Sequence, residues 1–551
     1  MILSCSYVIL IFITSSLASV SVKYKDLIIL GSKLRTAFEK NEYVAFYDIP
    51  YARPAINGRR FKPPGEYNPL SNYGIHDYRK AHRETKRNIE DCLYLSIFRP
   101  ISNKKTENFP VLVWTNELAN VHGPDFFVDE KVLVVTVSFR SSIFGFLNTE
   151  DEFAEGNMGA KDIVTALKWL RDNISLFNGD PNRVTIIASG FAATVVASML
   201  LSVSADGLFR RAVIIDGSAL SPADYRPYNF EVSNKLYWNL KGRYGKFNRT
   251  QLYDLLLSSS TESLIGCTTL YDSTEVRDTQ RLINTFSCGI EKSSKKAFMN
   301  KSPLKIYDRK FANNNVEVIF GYSTLHYLYK LKGLAENRKL LKYLNYNFQY
   351  LLPFEGRPDE YNSKRYKEIR QKILNFYFLN GTIGERSLRR YAKYVSDQMI
   401  YPILRQVELH SESSRSNVYL YRFSYKGSLN IGWQSSVPNL EWSGATLGDE
   451  ICYLFKCKSE ADSYKSHKSS DERLFIRKIV RLFANFAKYG NPTPNCSDND
   501  NILGTLVWTP VRGNEKLQAM NLGRHFKMID VPENERKSFW DQLKHEYFQD
   551  Y

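Results

Sequence analysis

The sequence predicts an α/β fold with a mainly parallel central sheet, helices on both of its faces and helical excursions outside it. Two observations lead to this class. The runs over residues 111–114 and 132–137 are almost continuously apolar, as in strands that are buried on both faces. Beyond them, segments with helical spacing of apolar residues alternate with further short apolar runs. This alternation is typical of a parallel sheet that is covered by helices.

The later elements continue the alternation. Residues 162–174 carry apolar side chains at helical spacing, so one face of this predicted helix can pack on the sheet. The elements that follow are a strand over 184–187, a small and apolar helix over 192–201, and strands over 213–215 and 316–320. The segment over 222–310 is more polar and rich in helical patterns. It predicts an excursion outside the sheet.

Composition and charge limit the class of protein and of partner. The chain has 551 residues, 43% hydrophobic and 24% charged, which excludes a disordered, collagen-like or coiled-coil protein. The 75 Lys and Arg outnumber the 58 Asp and Glu, for a net charge of +17. This charge favours an acidic partner such as a sulfated glycan or an acidic protein, although basic residues spread thinly for solubility would give the same value. No basic cluster is interleaved with aromatic residues as in an RNA-binding strip, so no nucleic-acid partner is expected. The basic clusters are at 59–62, 292–296, 364–372 and 386–393.

The N-terminus predicts secretion. Residues 1–22 carry no charged side chain, and residues 8–13 form a short apolar core. Small residues at Ser16 and Ala18 fit a signal peptidase site after Ala18. An uncleaved membrane anchor is the alternative, but the apolar run is short for a span, and no later run reaches about 18 apolar residues. We therefore expect a signal peptide over 1–18, one domain over 19–551, no membrane span and an extracellular location.

Two further patterns depend on that location. Asn-x-Ser/Thr sequons, which are glycosylation sites only in a secreted chain, occur at Asn173, Asn248, Asn300, Asn380 and Asn495. The eight histidines are scattered, without His-x-x-x-His or Cys-x-x-Cys spacing, and no phosphate-binding glycine loop follows a strand. We therefore expect no metal site and no cofactor.

Several ordered motifs resemble the type-B carboxylesterase/cholinesterase family. They include EDCLYL, NGDP and FANFAKYGNP, and they span nearly the whole mature chain. The stretches that carry the resemblance are 46–54, 58–63, 90–95, 156–159, 178–181, 207–213, 483–492 and 508–510. The resemblance implies one α/β-hydrolase domain.

The nucleophile position of that family holds a glycine. An esterase of this fold places its nucleophile on a tight turn between a strand and a helix, written Gly-x-Ser-x-Gly because the turn is crowded. Residues 188–192 instead read Ala-Ser-Gly-Phe-Ala, with Gly190 at the nucleophile position. A shifted turn would make Ser189 the nucleophile, but it would put Ile187 and Phe191 where small residues must lie.

The other catalytic positions are substituted as well. The resemblance places the oxyanion loop directly after the strand over 111–114, where the chain has Asn116, Glu117 and Leu118 instead of glycines. Glycines let backbone N–H groups approach a developing oxyanion, whereas Glu117 would bring a negative charge. The acid position, five residues after the glycine that ends a strand, is His326, and the base position is Leu447.

The cysteines predict disulfides without fixing their pairing. Removal of the signal peptide removes Cys5 and leaves six cysteines, an even number that allows 15 connectivities. Cys267 with Cys288, and Cys452 or Cys457 with Cys496, are the plausible pairs. The family's upstream partner of Cys92 is missing, so the pairing of Cys92 is open.

Taken together, these substitutions predict that the chain is not an enzyme. We expect a secreted pseudoenzyme of the inactive cholinesterase-like branch, which includes glutactin, neurotactin, gliotactin and the neuroligins. It would act by binding an extracellular protein or an acidic glycan, and the resemblance leaves open a homodimer through helices over 368–379 and 532–547. The alternatives are an unorthodox carboxylesterase that uses Ser189, and a carrier of an apolar small molecule in the former substrate gorge.

Overall fold

A computed structural model describes most of the chain between residues 20 and 548. The predicted signal peptide over 1–18 lies outside the described residues. The described residues are 20–24, 27–67, 74–76, 90–102, 107–116, 122–226, 230–242, 245–267, 285–292, 296–308, 315–331, 337–348, 350, 352–354, 363–378, 381–430, 444–459, 464, 470–494, 502–513 and 516–548.

A large mixed sheet forms the centre of the molecule. Its strands lie in the order β1-β2-β3-β5-β8-β6-β9-β10-β13-β14-β16-β17, with β4 paired to β2. The strands are β1 Val20–Tyr24, β2 Leu27–Arg35, β3 Glu42–Pro50, β4 Gly74–His76, β5 Tyr94–Pro100, β6 Phe109–Thr115, β7 His122–Gly123, β8 Leu133–Val137, β9 Gly179–Ser189, β10 Arg211–Ile215, β11 Tyr225–Arg226, β12 Cys288–Gly289, β13 Glu317–Ser323, β14 Val418–Phe423, β15 Lys456–Cys457, β16 Gln518–Leu522 and β17 Phe526–Asp530. The pairs β7–β15 and β11–β12 form two small separate sheets.

Along the main strand order the pairing is parallel in the middle of the sheet and antiparallel at its ends, and β4 pairs parallel with β2. Every neighbouring pair from β8 through β6, β9, β10, β13 and β14 to β16 is parallel. The pairs β1–β2, β2–β3, β3–β5, β5–β8 and β16–β17 are antiparallel. The mainly parallel sheet predicted from the apolar runs is therefore confirmed, and each predicted strand lies within or next to an observed one.

Helices cover both faces of the sheet, and the sheet divides the core into two layers. Along β6 and β9, residues Val113 and Ile186 belong to one buried cluster and Leu112 and Ile187 to the other, because alternate side chains of a strand point to opposite faces. The helices are α1 Asp125–Asp129, α2 Ser142–Phe146, α3 Met158–Asn173, α4 Phe191–Met199, α5 Phe230–Lys241, α6 Arg249–Ser258, α7 Thr261–Gly266, α8 Pro303–Tyr307, α9 Arg338–Tyr346, α10 Lys364–Tyr377, α11 Leu388–Ser413, α12 Ile451–Leu454, α13 Ser470–Tyr489 and α14 Asn534–Tyr547.

The segment over 222–310 is the predicted excursion. Its described residues contribute α5 to α8 and the β11–β12 pair, and none of them adds a strand to the central sheet. In the described part of the chain, no helix combines the length and the apolar character that crossing a bilayer requires.

A buried ion pair ties the loops around the N-terminal strands to α3. The Arg140 guanidinium donates to both carboxylate oxygens of Asp162 at 2.8 and 2.7 Å, and to the backbone carbonyl of Lys62 at 2.8 Å. Both side chains of the pair are almost fully buried. We call Arg140 and Asp162 the framework pair.

Candidate functional site

The turn between β9 and α4 has the shape that the sequence predicts. Strand β9 is central and ends at Ser189, helix α4 starts at Phe191, and Gly190 joins them with φ +62° and ψ −130°. The Gly190 N–H donates to the carbonyl of Ile215 at 2.9 Å, which fixes the turn to the end of β10. Positive φ with this ψ is open mainly to glycine. The elbow is therefore present, with no side chain at its tip.

The segment that carries Leu447 is held against this elbow. A Cβ atom added to Gly190 would lie 3.7 Å from Cδ1 of Leu447. The Leu447 N–H donates to the carbonyl of His326 at 3.2 Å, and the Thr446 hydroxyl donates to the same carbonyl at 3.0 Å. The structure thus brings Gly190, His326 and Leu447 together in space.

Behind these residues lies a buried polar group that we call the carboxylate cluster. It contains Asp216, Ser323, His326, Tyr421 and Glu450, each at most 1% exposed. Asp216 accepts from the Ser323 hydroxyl at 2.6 Å and from the Ser323 N–H at 2.7 Å, and its carboxylate lies 3.1 Å from Nδ1 of His326. Glu450 accepts from the Tyr421 hydroxyl at 3.1 Å.

In the carboxylate cluster, the carboxyl groups of Asp216 and Glu450 both lie close to the Ser323 hydroxyl. The Ser323 Oγ atom is 2.6 Å from Asp216 Oδ2 and 3.5 Å from Glu450 Oε2. Burial raises the pKa of Glu450 well above its usual value, and the negative charge of Asp216 adds to the rise. The protonated form of Glu450 is therefore favoured, because two buried carboxylates this close repel each other.

The arrangement of the cluster differs from a hydrolytic relay. In a Ser-His-Asp relay the imidazole lies between the hydroxyl and the carboxylate, whereas here Asp216 lies between Ser323 and His326. All three side chains are buried. Nδ1 of His326 therefore faces a buried carboxylate and not a hydroxyl.

Ser189 lies at the end of β9, next to the start of the predicted oxyanion segment. Thr115 pairs with Ala188 in the β6–β9 ladder, so the chain leaves β6 beside the elbow. The Asn116 side-chain amide then donates to the carbonyl of Ser189 at 3.4 Å. Glu117 and Leu118 lie outside the described residues. Ser189 is 6% exposed.

Sequence reasoning missed Asp216, Ser323, Tyr421 and Glu450. Asp216 ends a buried apolar strand, which is a signal, because ligands and functional groups gather at the carboxyl ends of parallel strands. Its partners are more than 100 residues away along the chain, so no local pattern predicts the contact. Within the described residues, no group of three or more His, Cys, Asp and Glu side chains is arranged to hold a metal ion.

The structure corrects the cysteine pairing. Cys452 and Cys457 form a disulfide with each other, with a Cα–Cα distance of 5.3 Å, so neither is bonded to Cys496. Cys452 lies within helix α12, and Cys457 lies in strand β15, which follows it. Cys267 and Cys288 are free thiols, as is Cys92. Cys496 lies outside the described residues.

The sequons differ in their accessibility. Asn248 and Asn300 are exposed. Asn248 caps helix α6, and its side-chain oxygen accepts from the Gln251 N–H at 2.9 Å. Asn173 is half-buried, and its amide donates to the Trp169 carbonyl at 2.8 Å. Asn380 and Asn495 lie outside the described residues.

Comparison with known proteins gives a family and a fold. A model described as the carboxylesterase family matches residues 18–540. Juvenile hormone esterase of Tribolium castaneum is 26% identical over 84% of this chain and 82% of its own length. Neuroligin-2 of Mus musculus is 23% identical over 91% of this chain and 64% of its own length. The crystal structure of juvenile hormone esterase from Manduca sexta with OTFP covalently attached covers 96% of this chain and 100% of its own, with a TM-score of 0.77 and 21% identity. The predicted α/β-hydrolase fold is confirmed.

These comparisons contradict the prediction that the chain is not an enzyme. The relative from Tribolium castaneum is named an esterase, and the solved structure is an esterase with a covalently attached compound. The prediction was wrong because it inferred a loss of activity from substitutions at the family's catalytic positions. Gly190 has no side chain and Leu447 cannot accept a proton, which excludes these two residues from catalysis but does not exclude a reaction carried by other side chains.

Proposed function

Because this chain belongs to the carboxylesterase family, we propose from that premise that it is a secreted single-domain protein that binds an extracellular protein or an acidic glycan. The domain would run over 19–551, after a signal peptide over 1–18. The net charge of +17 carries the proposal, because a charge of this size draws anionic partners over long range.

The contacts of the basic residues support this. The buried cations Arg60 and Arg140 are neutralised inside the fold, by Glu90 and Asp162 at 2.7 Å each. Many other lysines and arginines are exposed on helices, among them Lys339, Lys367 and Lys393. The excess positive charge therefore lies where an outside partner can reach it.

Secretion and binding are tested on the full chain. We expect the protein in the culture medium of transfected cells, without residues 1–18. The purified protein should bind immobilised heparin and elute at a higher salt concentration than from a sulfopropyl resin, because a specific surface adds to general charge attraction. Retention in the cells, or elution from both resins at one salt concentration, would overturn the proposal for a glycan. A screen of extracellular proteins then tests the protein partner.

Ester hydrolysis with Ser189 as the nucleophile is the second candidate function. The names of the relatives favour it, and Ser189 lies one residue before the tip of the elbow. The test is turnover of short-chain aryl and choline esters, with covalent labelling by a fluorophosphonate. Ser189→Ala should abolish both signals, and the exposed Ser258→Ala should change neither. Equal turnover by the two variants would reject Ser189 as the nucleophile.

A further inference from the structure

The first turns of α11 and the 3₁₀ turn before it carry a row of basic residues. Arg386, Arg389, Arg390 and Lys393 are all exposed. Their spacing of three, four and seven residues puts them on one face of the helix, along about 10 Å of its axis. We call these four residues the basic row.

The opposite face of the helix, behind the basic row, packs against neighbouring elements. Tyr391 and Tyr394 on the opposite face are buried, with ring centroids 6.4 and 5.4 Å from Phe378 and Phe348, which follow α10 and α9. The Asn345 side chain of α9 accepts from the Ile383 N–H at 2.8 Å just before the row. The row is therefore part of a rigid surface.

This arrangement is unfavourable without an anion. The first turn of α11 contains no acidic residue, although the helix N-terminus favours negative charge and disfavours each cation placed there. Arg386 and Arg390, like Arg389 and Lys393, are like-charged pairs four residues apart, which repel each other. Among the carboxylates whose side chains are described, none lies within ion-pair distance of Arg386, Arg390 or Lys393. A bound anion would relieve both costs.

We propose that the basic row binds a linear sulfated glycan, an inference that rests on the proposed extracellular binding function. Guanidinium groups donate in a planar fork that matches the oxygens of a sulfate, and a row of about 10 Å suits successive sulfates along a chain. No aromatic side chain stands among the four cations to stack on nucleic-acid bases, since Tyr391 and Tyr394 point inward. The interleaved Leu388, Tyr391 and Val395 are buried, which leaves no apolar side chain on this helix face to insert into a membrane.

The test compares two triple variants of the secreted full chain. Arg386→Gln/Arg390→Gln/Lys393→Gln removes three charges from the basic row. Lys33→Gln/Lys168→Gln/Lys527→Gln removes three exposed charges from β2, α3 and β17. We expect the first variant to bind a heparin dodecasaccharide at least about tenfold more weakly at 0.15 M NaCl, with a smaller salt dependence. The second should stay within about twofold of the parent, and both should keep the parent's thermal midpoint.

The outcomes separate this inference from the function on which it rests. If both variants bound heparin equally more weakly than the parent, the basic row would be rejected as the binding site, and the acidic-partner proposal would still stand. A parent protein that does not bind heparin would overturn both. Binding of the parent to hyaluronan, which carries carboxylates only, with the affinity shown for heparin would overturn sulfate as the recognised group. Binding to phosphatidylserine vesicles that is lost in the first variant, while heparin binding is unchanged, would replace the glycan by a membrane.

Discussion

The framework pair and the carboxylate cluster are both buried and charged, yet their charges are balanced differently. Arg140 meets a single carboxylate, Asp162, through two hydrogen bonds. In the cluster, Asp216 and Glu450 both approach the Ser323 hydroxyl, and Asp216 also contacts His326. The first site is neutral as an ion pair. The second must take up a proton or carry excess negative charge.

The pKa shifts express that difference. Burial lowers the pKa of Arg140, but the charge and the hydrogen bonds of Asp162 outweigh burial and leave it above its usual value. For Glu450, burial and the charge of Asp216 act in the same direction and raise the pKa. Burial also raises the pKa of Asp162, which the charge and hydrogen bonds of Arg140 oppose, whereas no cation is among the causes that act on the pKa of Glu450.

Breaking the framework pair should give the largest effect. Asp162→Asn leaves the Arg140 guanidinium buried without a counter-charge, which should lower the free energy of unfolding by about 3–5 kcal/mol. Urea unfolding at neutral pH measures the change. Asp172→Asn, on the exposed face of the same helix, should stay within about 0.5 kcal/mol. A loss below about 1 kcal/mol for Asp162→Asn would mean that burial of the pair is incomplete.

The carboxylate cluster should make the free energy of unfolding depend on pH. The pKa of Glu450 is higher in the folded chain, so the folded state binds the proton more tightly. The stabilisation from this proton is complete below the unfolded pKa of about 4.3 and is lost as pH rises through the folded pKa. Glu450→Gln removes that loss, so its stability relative to the parent should rise with pH, by at most about 1.4 kcal/mol per unit.

A matched control separates this proton from the general charge of the protein. Glu412→Gln removes an exposed carboxylate and should leave the slope of stability against pH unchanged. Urea unfolding between pH 4.5 and 8 gives both slopes. If Glu450→Gln and its parent run parallel over that range, Glu450 is ionised in the folded chain.

The two regions also differ in how much the sequence could predict. The strands flanking the elbow, and the positions of Gly190 and Leu447, could be predicted because buried runs and ordered motifs are local patterns. The carboxylate cluster could not, since Asp216, Ser323 and Glu450 meet only after three distant segments have packed. The Cys452–Cys457 disulfide was missed for a related reason, because Cys452 lies in helix α12 and Cys457 in strand β15, and the path of the chain between them decides their distance.

A substitution in the elbow should lower the free energy of unfolding by less than a substitution in the framework pair. Gly190→Ala places a side chain at φ +62°, a conformation that costs about 1–3 kcal/mol for a residue other than glycine. Its Cβ would be in ordinary contact with Leu447 at 3.7 Å, so the loss measures backbone strain without a clash. Gly58→Ala, in open space and without positive φ, should be neutral or stabilising. Equal values for the two variants would mean that the turn relaxes when glycine is replaced.

The smallest effect should come from an ion pair that matches the framework pair in distance alone. Lys372 Nζ lies 2.6 Å from Glu546, and Arg140 lies 2.7 Å from Asp162, but the side chains of the first pair are 41% and 43% exposed and those of the second 1% and 0%. Water competes for exposed charges and salt screens them, so Glu546→Gln should cost less than about 1 kcal/mol and less still in 0.5 M NaCl. Urea unfolding at two salt concentrations measures both values. A salt-independent loss comparable to that of Asp162→Asn would show that the α10–α14 contact is buried in solution, as it would be if a second copy of the chain covered it.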